Sequence, residues 1–224
     1  MTTLQFNARL VAPVVRDTFA NMAANSGTFG MIYAAATTAG VCLDLGNGLG
    51  EAATLLSLAF VFFQLFLQAC IILAILQCGG HVTRSRQWRI ASLFGIGIIT
   101  GFGILVGLLV LILPGLFLVG RWYIAAPILF AEDISVSEAV RASWDRTEEH
   151  WLACTVIAIL AFVMQAGPIV ASLYLLEESG TVPIAVVVAS NALSQGAWVF
   201  GIAAAATMYL TIGRRARRSE EIFG

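Results

Sequence analysis

The sequence predicts an all-α, polytopic membrane helix bundle of about six transmembrane helices, with two further helices at the cytoplasmic interface. In composition, 59% of the 224 residues are hydrophobic and only 11% are charged, whereas about a quarter of a soluble domain is charged. Several apolar stretches approach or exceed the roughly 20 residues that cross a bilayer as a helix. None of them shows the two-residue alternation of a membrane barrel strand. We therefore expect a single membrane domain over residues 1–224.

Two segments are predicted to be helices that lie at the membrane interface. Over 10–24, the apolar residues share one arc at 100° per residue and the arginines lie on the other side, as in interfacial helices. Over 135–150, Ser135 and Glu138 form a capping-box pattern. That helix is either a linker between two crossings or a surface that meets a cytoplasmic partner or lipid headgroups. Its charged face, spaced for ion pairs, consists of Glu138, Arg141, Asp145 and Glu149.

The apolar stretches predict the membrane helices. A helix satisfies its own backbone hydrogen bonds in lipid, so stretches of this length are expected to be helical. They cover residues 28–45, 53–77, 90–113, 116–131, 151–176 and 182–212. A basic tail, 213–224, follows the last of them.

The segment 90–131 is predicted to be a helical hairpin. It is too long for one crossing, and Pro114-Gly115 near its middle is a strong helix-breaking pair. The alternative is one kinked helix. That alternative would put the arginines after Ile212 outside the cell, against the rule that arginine near membrane helices stays in the cytoplasm.

The charges between the apolar stretches sort by sign, which predicts the orientation. Arginines precede the first stretch and follow the second and the sixth, whereas acids follow the first and the fifth. Six crossings then put both termini in the cytoplasm of a bacterium, in its cytoplasmic (inner) membrane. The arginines of the tail are candidates for contact with anionic lipid. They are Arg214, Arg215, Arg217 and Arg218.

Amide and hydroxyl side chains share single faces of the second, fifth and last predicted membrane helices. Exposing an amide to lipid is unfavourable, so these faces are expected to point into the bundle. They form either interhelical hydrogen bonds or the lining of a hydrated path or solute site. The candidates are Gln64, Gln68, Gln165, Asn191, Ser194 and Gln195.

The third predicted membrane helix carries two GxxxG pairs. Gly97/Gly101 and Gly103/Gly107 lie on faces roughly 120° apart on a helix of 3.6 residues per turn. Small residues let helices approach closely. We therefore expect this helix to be contacted by neighbours on two sides.

Arg121 is the arginine within the predicted membrane helices. It follows Pro114-Gly115 by about a turn and a half of helix, so it is expected near the outer side. An arginine there should form an ion pair with an outer acid, or hold an anion or a lipid headgroup. The outer acids are Asp44, Glu51, Glu177 and Glu178.

Several kinds of chemistry are missing from the sequence. The 12 basic residues are all Arg, which excludes a P-loop lysine and a lysine Schiff base. Cys78 with His81, and His150 with Cys154, could each supply two metal ligands, but no third ligand lies nearby in sequence. We expect no catalytic residue, no cofactor, no metal and no nucleic-acid partner.

A series of residues between Pro114 and Trp151 carries a family resemblance. The series reads Pro114-Gly115, Arg121-Trp122, Pro127, Glu132, Glu138-Ala139, Ser143-Trp144 and Trp151. It resembles a family of bacterial inner-membrane proteins that includes the membrane domain of some glycerophosphodiester phosphodiesterases and stand-alone proteins of unknown role. The resemblance implies a six-helix membrane bundle. It implies no hydrolysis, because the catalytic barrel of those phosphodiesterases has no counterpart here.

Together these patterns predict a non-enzymatic integral membrane protein with a scaffold, lipid-interacting or envelope-related role. The alternative is a small transporter or channel, with a polar path along the second and last membrane helices. Membrane lipids are the expected partners, together with a helix-packing partner or a second copy of the chain.

Overall fold

The computed structural model describes residues 3–46, 50–80, 89–179 and 182–223, and side chains for 10–46, 50–80, 89–175 and 182–215. These residues form helices joined by short turns, and no strand occurs among them. In chain order the helices are α1 Thr3–Ala24, α2 Ser26–Gly46, α3 Glu51–Cys78, α4 Ile90–Val110, α5 Ile112–Trp122, α6 Ala125–Glu132, α7 Val136–Arg146, α8 Trp151–Ser179 and α9 Ile184–Phe223.

The predicted fold class is confirmed. Six parts of the described chain are helical, long and apolar enough to cross a membrane. They are Ser26–Gly46, Glu51–Cys78, Ile90–Val110, Ile112–Glu132, Trp151–Leu175 and Ile184–Arg215. The fourth is broken into α5 and α6 by a turn at Tyr123 and Ile124, and the predicted basic tail is the helical end of α9, up to Phe223.

Hydrogen bonds join α1 to α3 and to α9 at one end of the bundle. Asn25 Nδ2 donates to Cys78 Sγ at 2.8 Å, which joins the end of α1 to the end of α3. Asn21 Nδ2 donates to Thr207 Oγ1 on α9 at 3.3 Å. We call the end that holds α1, α7 and Arg214 the basal end, and the end where α2 and α8 finish the distal end.

Almost all of the buried core lies in the basal half of the bundle. In α3, Ile71 and Ile75 are fully buried, whereas Leu55 near the distal end is 69% exposed. In α8, Ile157 is fully buried and Phe162 is 69% exposed. The distal halves of these helices therefore present apolar side chains to their surroundings, as expected of surfaces in contact with lipid tails.

Helix α7 begins as predicted. The Ser135 side chain accepts from the Glu138 backbone N–H at 3.3 Å, and Glu138 accepts from the Ser135 N–H at 2.8 Å. The Ser135 hydroxyl also donates to the Glu138 carboxylate at 2.6 Å, and this bond, followed by the one from the Ser135 N–H, lowers the pKa of Glu138. The sequence also predicts ion pairs along the charged face of this helix. At the middle of that face the prediction is wrong, because Arg141 and Asp145 are exposed and form no ion pair in the described structure.

Helices α4 and α5 form a hairpin, but the chain does not turn at Pro114-Gly115. The turn lies at Leu111, whose backbone is extended (φ −160°, ψ 144°). Pro114 belongs to the first turn of α5, where its missing N–H leaves no hydrogen bond unmade. Gly107 packs against the Gly115 backbone, so the two arms are in close contact.

The tip of this hairpin is apolar and lies well short of the distal end. Residues 109–113 are 65–79% exposed and carry no polar side chain. Thr155 Oγ1, on the second turn of α8, donates to the Leu116 carbonyl at 3.3 Å. Leu111 lies only about 7.5 Å of helix beyond Leu116, whereas α8 runs about 36 Å beyond Thr155, at 1.5 Å per residue. Both arms therefore enter and leave at the basal end.

We expect Leu111→Cys to be inaccessible from water on either side of the membrane. In a background with the four native cysteines replaced by alanine, an impermeant maleimide should leave Leu111→Cys unlabelled until the membrane is dissolved. Glu51→Cys, at the distal end, is the matched control and should be labelled from one side. Labelling of Leu111→Cys in intact membranes would contradict a hairpin tip in the hydrocarbon.

Candidate functional site

The polar face of α9 is held by three different helices. Gln195 Oε1 accepts from Gln64 Nε2 on α3 at 3.0 Å. Asn191 Nδ2 donates to Asp44 Oδ2 on α2 at 2.6 Å. Ser194 Oγ donates to the backbone carbonyl of Gln165 on α8 at 2.9 Å. Four of the six predicted polar residues thus use side-chain groups to join helices, and their hydrogen bonds cross the bundle.

We expect the two single substitutions Gln64→Leu and Gln195→Leu to destabilise the protein, and the double substitution to be milder than their sum. Each single change leaves one amide unpaired at a part-buried site, which costs about 1–3 kcal/mol, whereas removal of both partners is nearly neutral. The coupling between the two should therefore be about 2 kcal/mol or more. The measurement is unfolding in mixed detergent micelles, with exposed Gln77→Leu as the control. Additive effects would contradict the pairing.

A cavity of about 560 Å³ lies next to this polar face, among α3, α4, α5, α6, α8 and α9. Its lining is almost entirely apolar and contains no charged residue. The lining residues Leu108 and Phe162 are also exposed on the outside of the bundle (40% and 69%), so the mouth opens sideways between the hairpin and α8. The cavity is therefore open to the lipid-facing surface.

Two of the predicted polar residues, Gln68 and Gln165, line this cavity. Within the described chain, neither side-chain amide has a hydrogen-bond partner, although the backbone carbonyl of Gln165 accepts from Ser194. An amide without a partner in an apolar cavity is unfavourable unless a ligand or water supplies one. The predicted residue set thus divides into paired groups on α9 and free groups at the cavity.

Arg121 does not lie near the outer side of the bundle, as predicted, but at the basal end. The residue is only 5% exposed, and its guanidinium carbon sits 4.5 Å from the ring centroid of Trp144 and 5.6 Å from that of Phe117. Ser143 Oγ, in α7, and Thr147 Oγ1, directly after it, donate to the Arg121 carbonyl at 2.8 and 2.9 Å. Arg121 therefore belongs to the basal end and is stabilised by aromatic faces.

The expected ion pair of Arg121 with an outer acid is not formed by the acids whose side chains are described. Asp44 accepts from Asn191 at the distal half of the bundle, and Glu51 is exposed at the start of α3. The side chains of Glu177 and Glu178 lie outside the described residues. The expectation failed for Asp44 and Glu51 because α5 runs back toward the basal end, away from the distal acids.

An ion-pair network that the sequence analysis missed joins α6, α7 and α9. Both terminal nitrogens of Arg146 contact the Glu132 carboxylate, with Nη2 to Oε2 at 2.8 Å. Tyr209 OH donates to Glu132 Oε1 at 2.9 Å. Next to it, Asp133 pairs with Arg89 at 3.2 Å. None of these residues lines the cavity, so the network holds helices together at the basal end.

The basic end of α9 is described only in part. Arg214 is exposed, and it lies 3.9 Å from Asp17 of α1. Arg215 is exposed as well. The side chains of Arg217 and Arg218, like His81, lie outside the described residues, and in the part that is described no three His, Cys, Asp or Glu side chains are grouped as metal ligands would be.

No protein-family model, curated protein or solved structure matches this chain. The resemblance to the membrane domain of glycerophosphodiester phosphodiesterases therefore stays a prediction from the sequence.

Proposed function

We propose that this protein is a non-enzymatic, multi-pass scaffold of the bacterial cytoplasmic membrane that acts through contact with lipid. The observation that carries the proposal is the apolar cavity of about 560 Å³ that opens sideways at the lipid-facing surface. The basal end would face the cytoplasm, because the arginines of α9 lie there. Exposed Arg214 and Arg215 would meet anionic headgroups at that surface.

The alternative, a transporter or channel along the second and last membrane helices, has less support. Its path would need Gln64, Asn191 and Gln195 to face a wet channel, but these side chains bond to one another or to Asp44. The large cavity beside them has apolar walls. A polar solute would lose its hydration there and could gain only the amides of Gln68 and Gln165 as partners.

Reconstitution into vesicles tests the proposal against this alternative. Proteoliposomes should show no more glycerol flux than empty liposomes, and phospholipid should remain bound to the protein after detergent washing, as measured by native mass spectrometry. Glycerol flux that rises with protein content and falls in the Gln64→Leu and Gln195→Leu double variant would support transport and overturn the scaffold proposal. A second copy of the chain would be seen as a dimer mass in the same spectra.

A further inference from the structure

We infer that the cavity holds one acyl chain of a glycerolipid, with the ester carbonyl of that chain hydrogen-bonded by the amides of Gln68 and Gln165. This inference rests on the proposed lipid-contact function and names the ligand for it. It explains why two amides without a partner face an otherwise apolar space.

The position of the mouth selects a ligand that comes from the membrane. Leu108, at the hairpin, and Phe162, on α8, both line the cavity and are exposed on the apolar outside of the bundle. The adjacent hairpin tip is apolar too, with Leu109 and Leu113 exposed by 77% and 79%. A ligand that enters here passes through hydrocarbon, which favours an acyl chain over a water-soluble molecule.

The polarity inside the cavity selects a neutral polar group. No charged residue lines the cavity, so a carboxylate or an amine would be buried without a counter-charge. Amide N–H groups donate to carbonyl oxygens, and Gln68 and Gln165 stand on the two helices, α3 and α8, that flank α9. An ester carbonyl matches this pair, whereas the carboxylate of a free fatty acid does not.

The two amides lie at the distal end of the cavity, and its basal end is apolar. Gln68 is one turn from Gln64, which pairs with Gln195, whereas Ile72 lies one turn closer to the core and is 1% exposed. Pro127, also buried, closes the basal end. A volume of about 560 Å³ falls within the roughly 300–1,000 Å³ of known ligand sites. The chain terminus would point toward Ile72, and the ester would lie at the amides.

Photo-crosslinking in proteoliposomes tests the site. One probe is a phospholipid with a diazirine near the end of one acyl chain, and the other is a free fatty acid with the same diazirine. In the wild-type chain, the phospholipid should label residues of the basal cavity, such as Ala126 and Ala205, and the fatty acid should label them several-fold less. Gln68→Leu with Gln165→Leu should lower the phospholipid signal about tenfold, as expected for two lost hydrogen bonds, while Gln77→Leu should leave it unchanged.

A second variant tests the cavity without touching the amides. Ala158→Phe fills the space from a lining position on α8 and should abolish the basal label, whereas Ala171→Phe, exposed on the same helix, should not. Labels spread evenly over lipid-facing residues in every variant would overturn the site and leave the lipid-contact proposal intact. Stronger labelling by the fatty acid would overturn the ester assignment. Failure of the proposed function itself would be seen separately, as glycerol flux.

Discussion

Gly120→Ala is expected to destabilise the protein by about 3 kcal/mol or to prevent its folding, the upper range for overpacking of a tight core. A methyl group at this position would overlap the backbone carbonyl of Trp151 and the hydroxyl of Thr155. The carbonyl cannot rotate away, because it belongs to α8 and accepts from Thr155 Oγ1 at 2.9 Å. The hairpin would have to move away from α8, and Leu116, which lines the cavity from α5, would move with it.

The control for this prediction is Gly101→Ala on the other arm of the hairpin. Nothing lies within 4 Å of a Cβ placed at Gly101, and alanine favours a helix over glycine by up to about 1 kcal/mol. This variant should unfold at the same denaturant concentration as the wild type or a higher one. The two variants are compared by unfolding in SDS and by yield of folded protein. Equal midpoints for both would contradict the close contact of α5 with α8.

The two glycine pairs of α4 show what sequence could and could not predict. Both are GxxxG pairs, but only one of them packs closely against another helix: Gly103 lies against the Trp122 ring and Gly107 against Gly115, while nothing lies within 4 Å of a Cβ placed at Gly97 or Gly101. The expected contact was therefore wrong for the Gly97/Gly101 face, although α4 does pack against α3, α5, α6 and α7. Lipid tails are as apolar as leucine, so the composition of a helix face does not tell whether lipid or another helix covers it.

The positions of the helices and of the capping box depend on segment length and local pattern and could be predicted. The position of a residue along the axis of the bundle could not. The membrane helices follow from hydropathy and the capping box at Ser135 from a spacing of three residues, and the structure has both. The depth of Arg121 depended on where the hairpin turns. With the turn at Leu111 and a short α5, Arg121 returns to the basal end and meets α7, a contact between residues more than 20 positions apart in sequence.

For the candidate site, too, the sequence does not predict the height of each residue in the bundle. That Gln68 and Gln195 point inward follows from the cost of an amide in lipid. Which amide meets a partner depends on the relative heights of α3, α8 and α9. Gln64 is level with Gln195 and pairs with it, while Gln68, one turn away, faces the cavity. No local pattern distinguishes these two glutamines.

Trp144→Ala is expected to destabilise the protein by about 3 kcal/mol, the lower end of the range for truncation of a core tryptophan, because Trp144 is half-buried. Part of that loss comes from Arg121, whose guanidinium stays in a site with 5% exposure after losing the ring 4.5 Å away. Cation–π contacts contribute about 2 kcal/mol when desolvated. Arg121→Met in the Trp144→Ala background should therefore recover part of the stability, because it removes a buried charge that has lost its partner.

Unfolding of the two single variants and the double variant gives the coupling between Arg121 and Trp144, expected at about 1–2 kcal/mol. Trp144→Phe is the matched control: it keeps an aromatic face over the guanidinium, so it should lose less stability than Trp144→Ala and retain part of the coupling. Arg121→Met with Trp198→Ala, a tryptophan of the cavity wall, should be additive. If Arg121→Met worsened the Trp144→Ala variant by its full single-variant amount, the guanidinium would have to be stabilised by something other than the ring. An anion held at the basal surface would then be the explanation for a buried arginine that no described carboxylate neutralises.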